Sequence, residues 1–153
     1  MSIIIPHDVL KAREHLVPHD LKTMYDYLNS RRFGVKGKFD FIVYGENNEL
    51  YVYDWKTTVK KTHGELMRSI ESYGYDFSAN FYRLVLYLAG YKPQWIKLVF
   101  LHKAAKKVVE VKVSTLPSWL QKTFRSQESI DRLDDHLSMM SNDVVVVDIE
   151  VEK

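Results

Sequence analysis

Asp40, Asp54 and Lys56 are the side chains whose types and spacing could carry chemistry. They stand in two runs rich in aromatic and β-branched residues, Lys38–Tyr44 and Leu50–Thr57, separated by the loop Gly45-Glu-Asn-Asn48. Runs of this kind joined by so short a loop predict a β-hairpin. Side chains alternate across a strand, so Asp54 and Lys56 point to the same face. Asp40 lies near the start of the first strand and Asp54 near the end of the second, and an antiparallel hairpin makes those ends neighbours. Two carboxylates brought together repel unless a cation sits between them. Mg²⁺ or Mn²⁺ takes oxygen ligands of this type, and the backbone carbonyl of Trp55 would add another. An adjacent lysine can orient the attacking water and stabilise charge developing on a phosphate. The chemistry of such a set is hydrolysis of a phosphodiester. A bare D-x-K is common, and the plain alternative makes Asp54 and Lys56 solvated residues of an exposed sheet face. The strand context and the partner Asp40 weigh against that alternative.

The elements that must position this hairpin follow from periodicity. Residues 7–30 read as helical in two pieces broken near Pro18, with Leu21, Met24, Tyr25 and Leu28 at helical spacing. Gly34-Val-Lys-Gly37 reads as a flexible lead-in to the first strand. A basic loop, Val59 to Gly64, follows the second strand. Leu66, Ile70, Tyr73, Phe77, Phe81, Leu84 and Leu88 then step by 4, 3, 4, 4, 3 and 4, which predicts one long helix from about Glu65 to Ala89, stopped at Gly90. Gln94–His102 and Lys107–Val113 read as a second strand pair, residues 115–139 as a helix with Pro117 near its start, and Val144–Val151 as a last strand. This order predicts a single α/β domain: one mixed central sheet flanked by helices.

Composition narrows the function classes. The chain has 153 residues and no cysteine, which excludes disulfides, cysteine-ligated zinc, iron–sulfur clusters and a thiol nucleophile. No apolar run reaches the length of a membrane span, and Ile3–Ile5 is too short for a signal peptide. A soluble intracellular protein is expected. Residues 1–126 carry 20 Lys/Arg against 12 Asp/Glu, whereas residues 127–153 carry 2 against 8. A basic body suits an anionic partner, nucleic acid first, although an ordinary mixed surface would serve as well. In the acidic end, Asp131, Asp134 and Asp135 read as a solvated helix face, and Asp148, Glu150 and Glu152 as a sheet edge that discourages pairing.

Gly37-Lys-Phe-Asp40 and Tyr53-Asp54-Trp-Lys56-Thr57 resemble the G-(K/R)-x-D and D-x-K-T strands of the PD-(D/E)xK nuclease superfamily. The likeness is to its RecB-like, exonuclease VIII and lambda-exonuclease-like branch. There the lysine strand is followed by a helix with the pattern Tyr-x-x-Gln-x-x-x-Tyr. Here that run is Tyr75-Asp-Phe-Ser78-Ala-Asn-Phe-Tyr82, with serine in the glutamine position. The resemblance covers roughly residues 36–101. It implies a restriction-endonuclease-like fold with its motif core at about 36–113, and a metal-dependent deoxyribonuclease of the phage or recombination exonuclease type. Asp40, Asp54 and Lys56 would be catalytic, and Asp40, Asp54 and the Trp55 carbonyl would hold Mg²⁺ or Mn²⁺. Lys60, Lys61, Arg68, Ser78 and Tyr82 would meet nucleic acid. His63 belongs to the same basic loop.

The resemblance also implies DNA as partner, assembly into a homo-oligomer, a recombination or phage partner protein, and the cytoplasm of a bacterial or phage-infected cell. The upstream acidic or histidine ligand of such nucleases has three candidates here, Glu14, His15 and His19. The alternative is a catalytically impaired nuclease-fold module that serves DNA binding or protein assembly. Ser78 and the unmatched upstream ligand favour that alternative, and the intact Asp40, Asp54 and Lys56 oppose it.

Overall fold

The hairpin forms as expected, but its first strand is shorter and its neighbours differ. The structure, a computed structural model, describes residues 1–58, 60, 62–102, 106–113, 127–140 and 142–146. Ser2–Ile5 form β1, His7–Ala12 α1 and Lys22–Ser30 α2, the two helices joined through 3-10 turns at Glu14–Leu16 and His19–Leu21 on either side of Pro18. Phe33–Lys38 form β2, Phe41–Tyr44 β3 and Glu49–Thr58 β4. His63–Ser72 form α3, Tyr75–Leu88 α4, Lys92–His102 β5, Lys107–Val113 β6, Gln127–Met139 α5 and Val144–Val146 β7. The parts of the expected helix at 115–126 and of the expected strand at 147–151 lie outside the described residues, as do Asp148, Glu150 and Glu152.

The single expected sheet is two sheets. One has the order β3-β4-β5-β6; β4 and β5 run parallel and the outer pairs antiparallel, so it is mixed. The other has the order β1-β2-β7 and is antiparallel throughout. They meet at Phe39–Asp40, where the expected strand Lys38–Tyr44 is interrupted. The Gly34–Gly37 stretch, expected as a flexible lead-in, is therefore part of β2. A Cβ at Gly34 would stand 2.9 Å from the Ile5 carbonyl oxygen, so this close crossing of strands requires glycine.

One contiguous core joins the elements into a compact α/β domain. The apolar stripe buries Leu66, Ile70, Phe77, Phe81, Leu84 and Leu88, but Tyr73 is exposed. The expected long helix breaks there into α3 and α4. Gly74 adopts φ 68°, outside the helical region, and a Cβ on it would lie 2.7 Å from the His136 ring of α5. The crossing of α5 thus takes a site where only a residue without a side chain fits and where a left-handed backbone costs little. Asp131, Asp134 and Asp135 are exposed as expected. Asp134 also accepts a hydrogen bond from the Tyr27 hydroxyl and lies 3.8 Å from Arg31, which fastens α5 to α2. Among the described residues, no helix is long and apolar enough to cross a membrane.

Candidate active site

Asp40, Asp54 and Lys56 come together where the two sheets meet. In the β3–β4 ladder Phe41 faces Tyr53, so continuing the register would place residue 39 opposite Trp55. The Asp40 carboxylate takes over that position instead: its Oδ2 accepts the Trp55 amide hydrogen bond at 3.0 Å. A side chain thus satisfies a backbone donor that the ladder leaves unpaired. Phe39 turns inward, 5% exposed, with its ring edge-on to Tyr82 at 5.4 Å. This bend aims Asp40 at the end of β4.

Asp54 and Lys56 share the face of β4 turned toward α4. Lys56 Nζ lies 3.2 Å from Asp54 Oδ2 and 4.5 Å from the centre of the Tyr75 ring. The ion pair and the cation–π contact hold the ammonium in place from two sides. Burial pushes the Asp54 carboxyl up to about 6; the Lys56 charge opposes the shift, and the hydrogen-bonded Asp40 carboxyl adds to it. Two carboxyls therefore lean on each other with a lysine at hand, as the spacing predicted.

The raised value has a sign that can be measured. Asp54 binds its proton more tightly in the fold than in the unfolded chain, whose ordinary value is 3.8. The stability this gives is full below 3.8 and is lost as pH rises through about 6. With chelator present, the wild-type denaturation midpoint should fall relative to that of Asp54→Asn between pH 4 and 6.5. Parallel profiles for the two proteins would put the carboxyl in water.

Tyr82 belongs to the same neighbourhood. Its hydroxyl donates to Asp143 Oδ2 at 2.8 Å, and burial, Asp143, Asp54 and Asp40 together push its ionisation upward. Asp143 was not singled out from the sequence. It precedes β7 and follows α5, and only the fold carries it to α4. Ser78, grouped with Tyr82 in the sequence, is turned elsewhere: its Oγ donates to Met140 Sδ at 3.7 Å. Phe77 and Phe81 enter the core as expected.

Lys60 and Arg68 are exposed and line an open pocket of about 260 Å³ with Glu65, Ser69, Ser72 and Tyr73. Of its lining residues, Tyr73 packs on Tyr75 at 5.6 Å, and Tyr75 is the ring under Lys56. Lys61 lies outside the described residues, and of His63 only the backbone is described. None of Glu14, His15 and His19 joins the carboxyl pair. Glu14 is bound to Lys22 Nζ at 2.7 Å, and both histidines are exposed. Their segment docks on the far end of α4, where Arg13 Nη1 donates to the Leu88 carbonyl at 2.7 Å.

The donor set suits a hard cation only in its smallest form. Among the described residues, no three His, Asp or Glu side chains converge as a metal-binding group. Asp40 and Asp54 remain, with the Trp55 carbonyl, which points to the same side of β4 as the amide that Asp40 accepts. Mg²⁺ is commonly held by one or two carboxylates, its other positions filled by water and substrate phosphate, so the pair fits. The mutual destabilisation of an exposed Asp40 and a half-buried Asp54 carboxyl is the kind of arrangement a cation relieves. Compared with known proteins, the chain matches no family model and no curated protein.

Proposed function

We propose that this chain is a metal-dependent deoxyribonuclease of the PD-(D/E)xK type, with a restriction-endonuclease-like fold and an exonuclease's preference for DNA ends. The observation that carries the reading is the convergence of Asp40, in the bend before β3, on Asp54 of the paired β4, with Lys56 Nζ 3.2 Å from Asp54. The chemistry that Mg²⁺ or Mn²⁺ supplies at such a pair is neutralisation of phosphate charge and acidification of the attacking water. Asp40 and Asp54 would hold and orient the ion, and the Trp55 amide keeps Asp40 from turning away. Lys56, steadied by Asp54 and Tyr75, stabilises the charge that builds on the phosphate as water attacks phosphorus and the sugar oxygen leaves. Tyr82, fastened to Asp143, holds α4 against the hairpin beside the carboxyls. Lys60 and Arg68 offer the neighbouring phosphates a basic wall.

Ser78 bound to Met140, and carboxyl donors limited to two side chains among the described residues, favour a second reading: a nuclease-fold module that binds DNA or assembles with a recombination protein without cutting. Incubating linear and covalently closed circular DNA with Mg²⁺, Mn²⁺ or chelator separates the readings. Loss of the linear form alone, dependent on metal, is the result expected of the exonuclease. Nicking of the circle would make the enzyme an endonuclease, and no cleavage with either metal would leave the binding module.

A further inference from the structure

We propose that the face of the four-stranded sheet turned away from α4 is a stacking platform for the unpaired bases of a single strand on its way to the carboxyl pair. This rests on the nuclease reading and adds the form of substrate it takes. The residues of β4 alternate, so Tyr51, Tyr53 and Trp55 emerge opposite to Asp54 and Lys56. Phe41 and Val43 of β3 stand beside them through the pairs Phe41↔Tyr53 and Val43↔Tyr51. Phe41, at the start of the edge strand β3, is 51% exposed, and Trp55, on the inner strand β4, is 46% exposed, a large value for an aromatic ring on an inner strand. Phe41 and Tyr53 meet edge to face at 5.7 Å, which ties the two rings into one aromatic patch.

Three features select a nucleic acid over a protein as the occupant. The patch is aromatic more than aliphatic, and every base has a π-face to lay on such rings whatever its identity. Cations stand at its margin within a basic body: Lys97 lies 5.9 Å from the Tyr53 ring centre although it also pairs with Glu110, Lys38 is exposed just before the bend, and residues 1–126 as a whole carry 20 Lys/Arg against 12 Asp/Glu. Finally, the platform is continuous with the site. Phe41 is the next residue after Asp40, and Trp55 separates Asp54 from Lys56 while its amide is bound by Asp40. A strand lying on Trp55 and Phe41 thus reaches the carboxyls by crossing the sheet where β3 begins. Duplex DNA, whose bases are already stacked, gains nothing from these rings.

The test measures fluorescence anisotropy of labelled dT15 with the full chain in chelator, so that binding is read without hydrolysis. Phe41→Leu and Trp55→Leu keep apolar bulk but remove the π-face, and each should weaken dT15 binding about fivefold or more. Phe41→Tyr and Trp55→Phe should stay within about twofold of wild type, because they retain a ring. Unlabelled duplex of equal length should compete poorly. Circular dichroism checks that each variant is folded. Equal dT15 affinity of wild type and the Phe41→Leu/Trp55→Leu double variant would overturn the proposal. So would a wild-type dimer in sedimentation that the double variant dissociates while dT15 affinity is unchanged, because the face would then cover a second copy. Binding in chelator is independent of cleavage, so failure of the nuclease reading shows in the DNA digestion and failure of the platform shows here.

Discussion

Lys56→Ala is expected to lower DNA hydrolysis at least about 100-fold while leaving divalent-metal binding largely intact. The ammonium is held by Asp54 at 3.2 Å and by the Tyr75 ring at 4.5 Å, which leaves it little freedom to act as a solvated surface charge. Removing it takes away charge stabilisation at the phosphate but no oxygen ligand. Asp54→Asn has a different signature. It keeps the shape, removes one of the two carboxylates and should lose metal and activity together. Titration with Mn²⁺ followed by calorimetry, beside a cleavage assay on the same preparation, distinguishes the two. In wild type, metal should raise the denaturation midpoint, because a ligand that binds only the folded chain stabilises it by mass action. Asp54→Asn should show no such rise. Cleavage at the wild-type rate by both variants would place the chemistry elsewhere in the chain or in a contaminant.

Phe77→Ala is expected to be the most damaging single change to stability. Phe77 is fully buried in α4 and stacks on the His136 ring of α5 with centres 4.6 Å apart. Truncating a buried phenylalanine commonly costs about 3–5 kcal/mol, through lost transfer energy and the cavity left behind. For a chain of this size that lowers the thermal midpoint by roughly 6–20 °C. Tyr73→Ala, at the 55% exposed break between α3 and α4, should shift the midpoint by no more than about 2 °C. Calorimetric melting of the two variants checks the contrast. A small shift for Phe77→Ala would mean that α5 is not packed on α4 as the stacking implies.

The features of the site visible in the residues alone were those set by local rules. Alternation along Leu50–Thr57 put Asp54 and Lys56 on one face, and the short Gly45–Asn48 loop put Asp40 beside them, both independent of the rest of the chain. The stripe from Leu66 to Leu88 likewise placed Phe77 and Phe81 in the core. Other features depended on what crosses what. The helix break at Gly74 arises because the His136 ring passes within a methyl group's reach of that backbone, and a repeat of 3 and 4 carries no trace of it. The interruption at Phe39–Asp40 exists because a carboxylate replaces the ladder partner of Trp55 while Phe39 turns onto Tyr82.

Asp143 reaches Tyr82 across 61 residues of sequence, and Ser78 is drawn to Met140 across 62, so neither partner could be read from spacing. Glu14, His15 and His19 were plausible ligands by type, but Arg13 anchors their segment at the Leu88 end of α4. Periodicity tells which face a side chain takes. Which distant side chain meets it there follows from the packing of whole helices and sheets, since that packing sets the long-range distances on which hydrogen bonds and charge interactions depend.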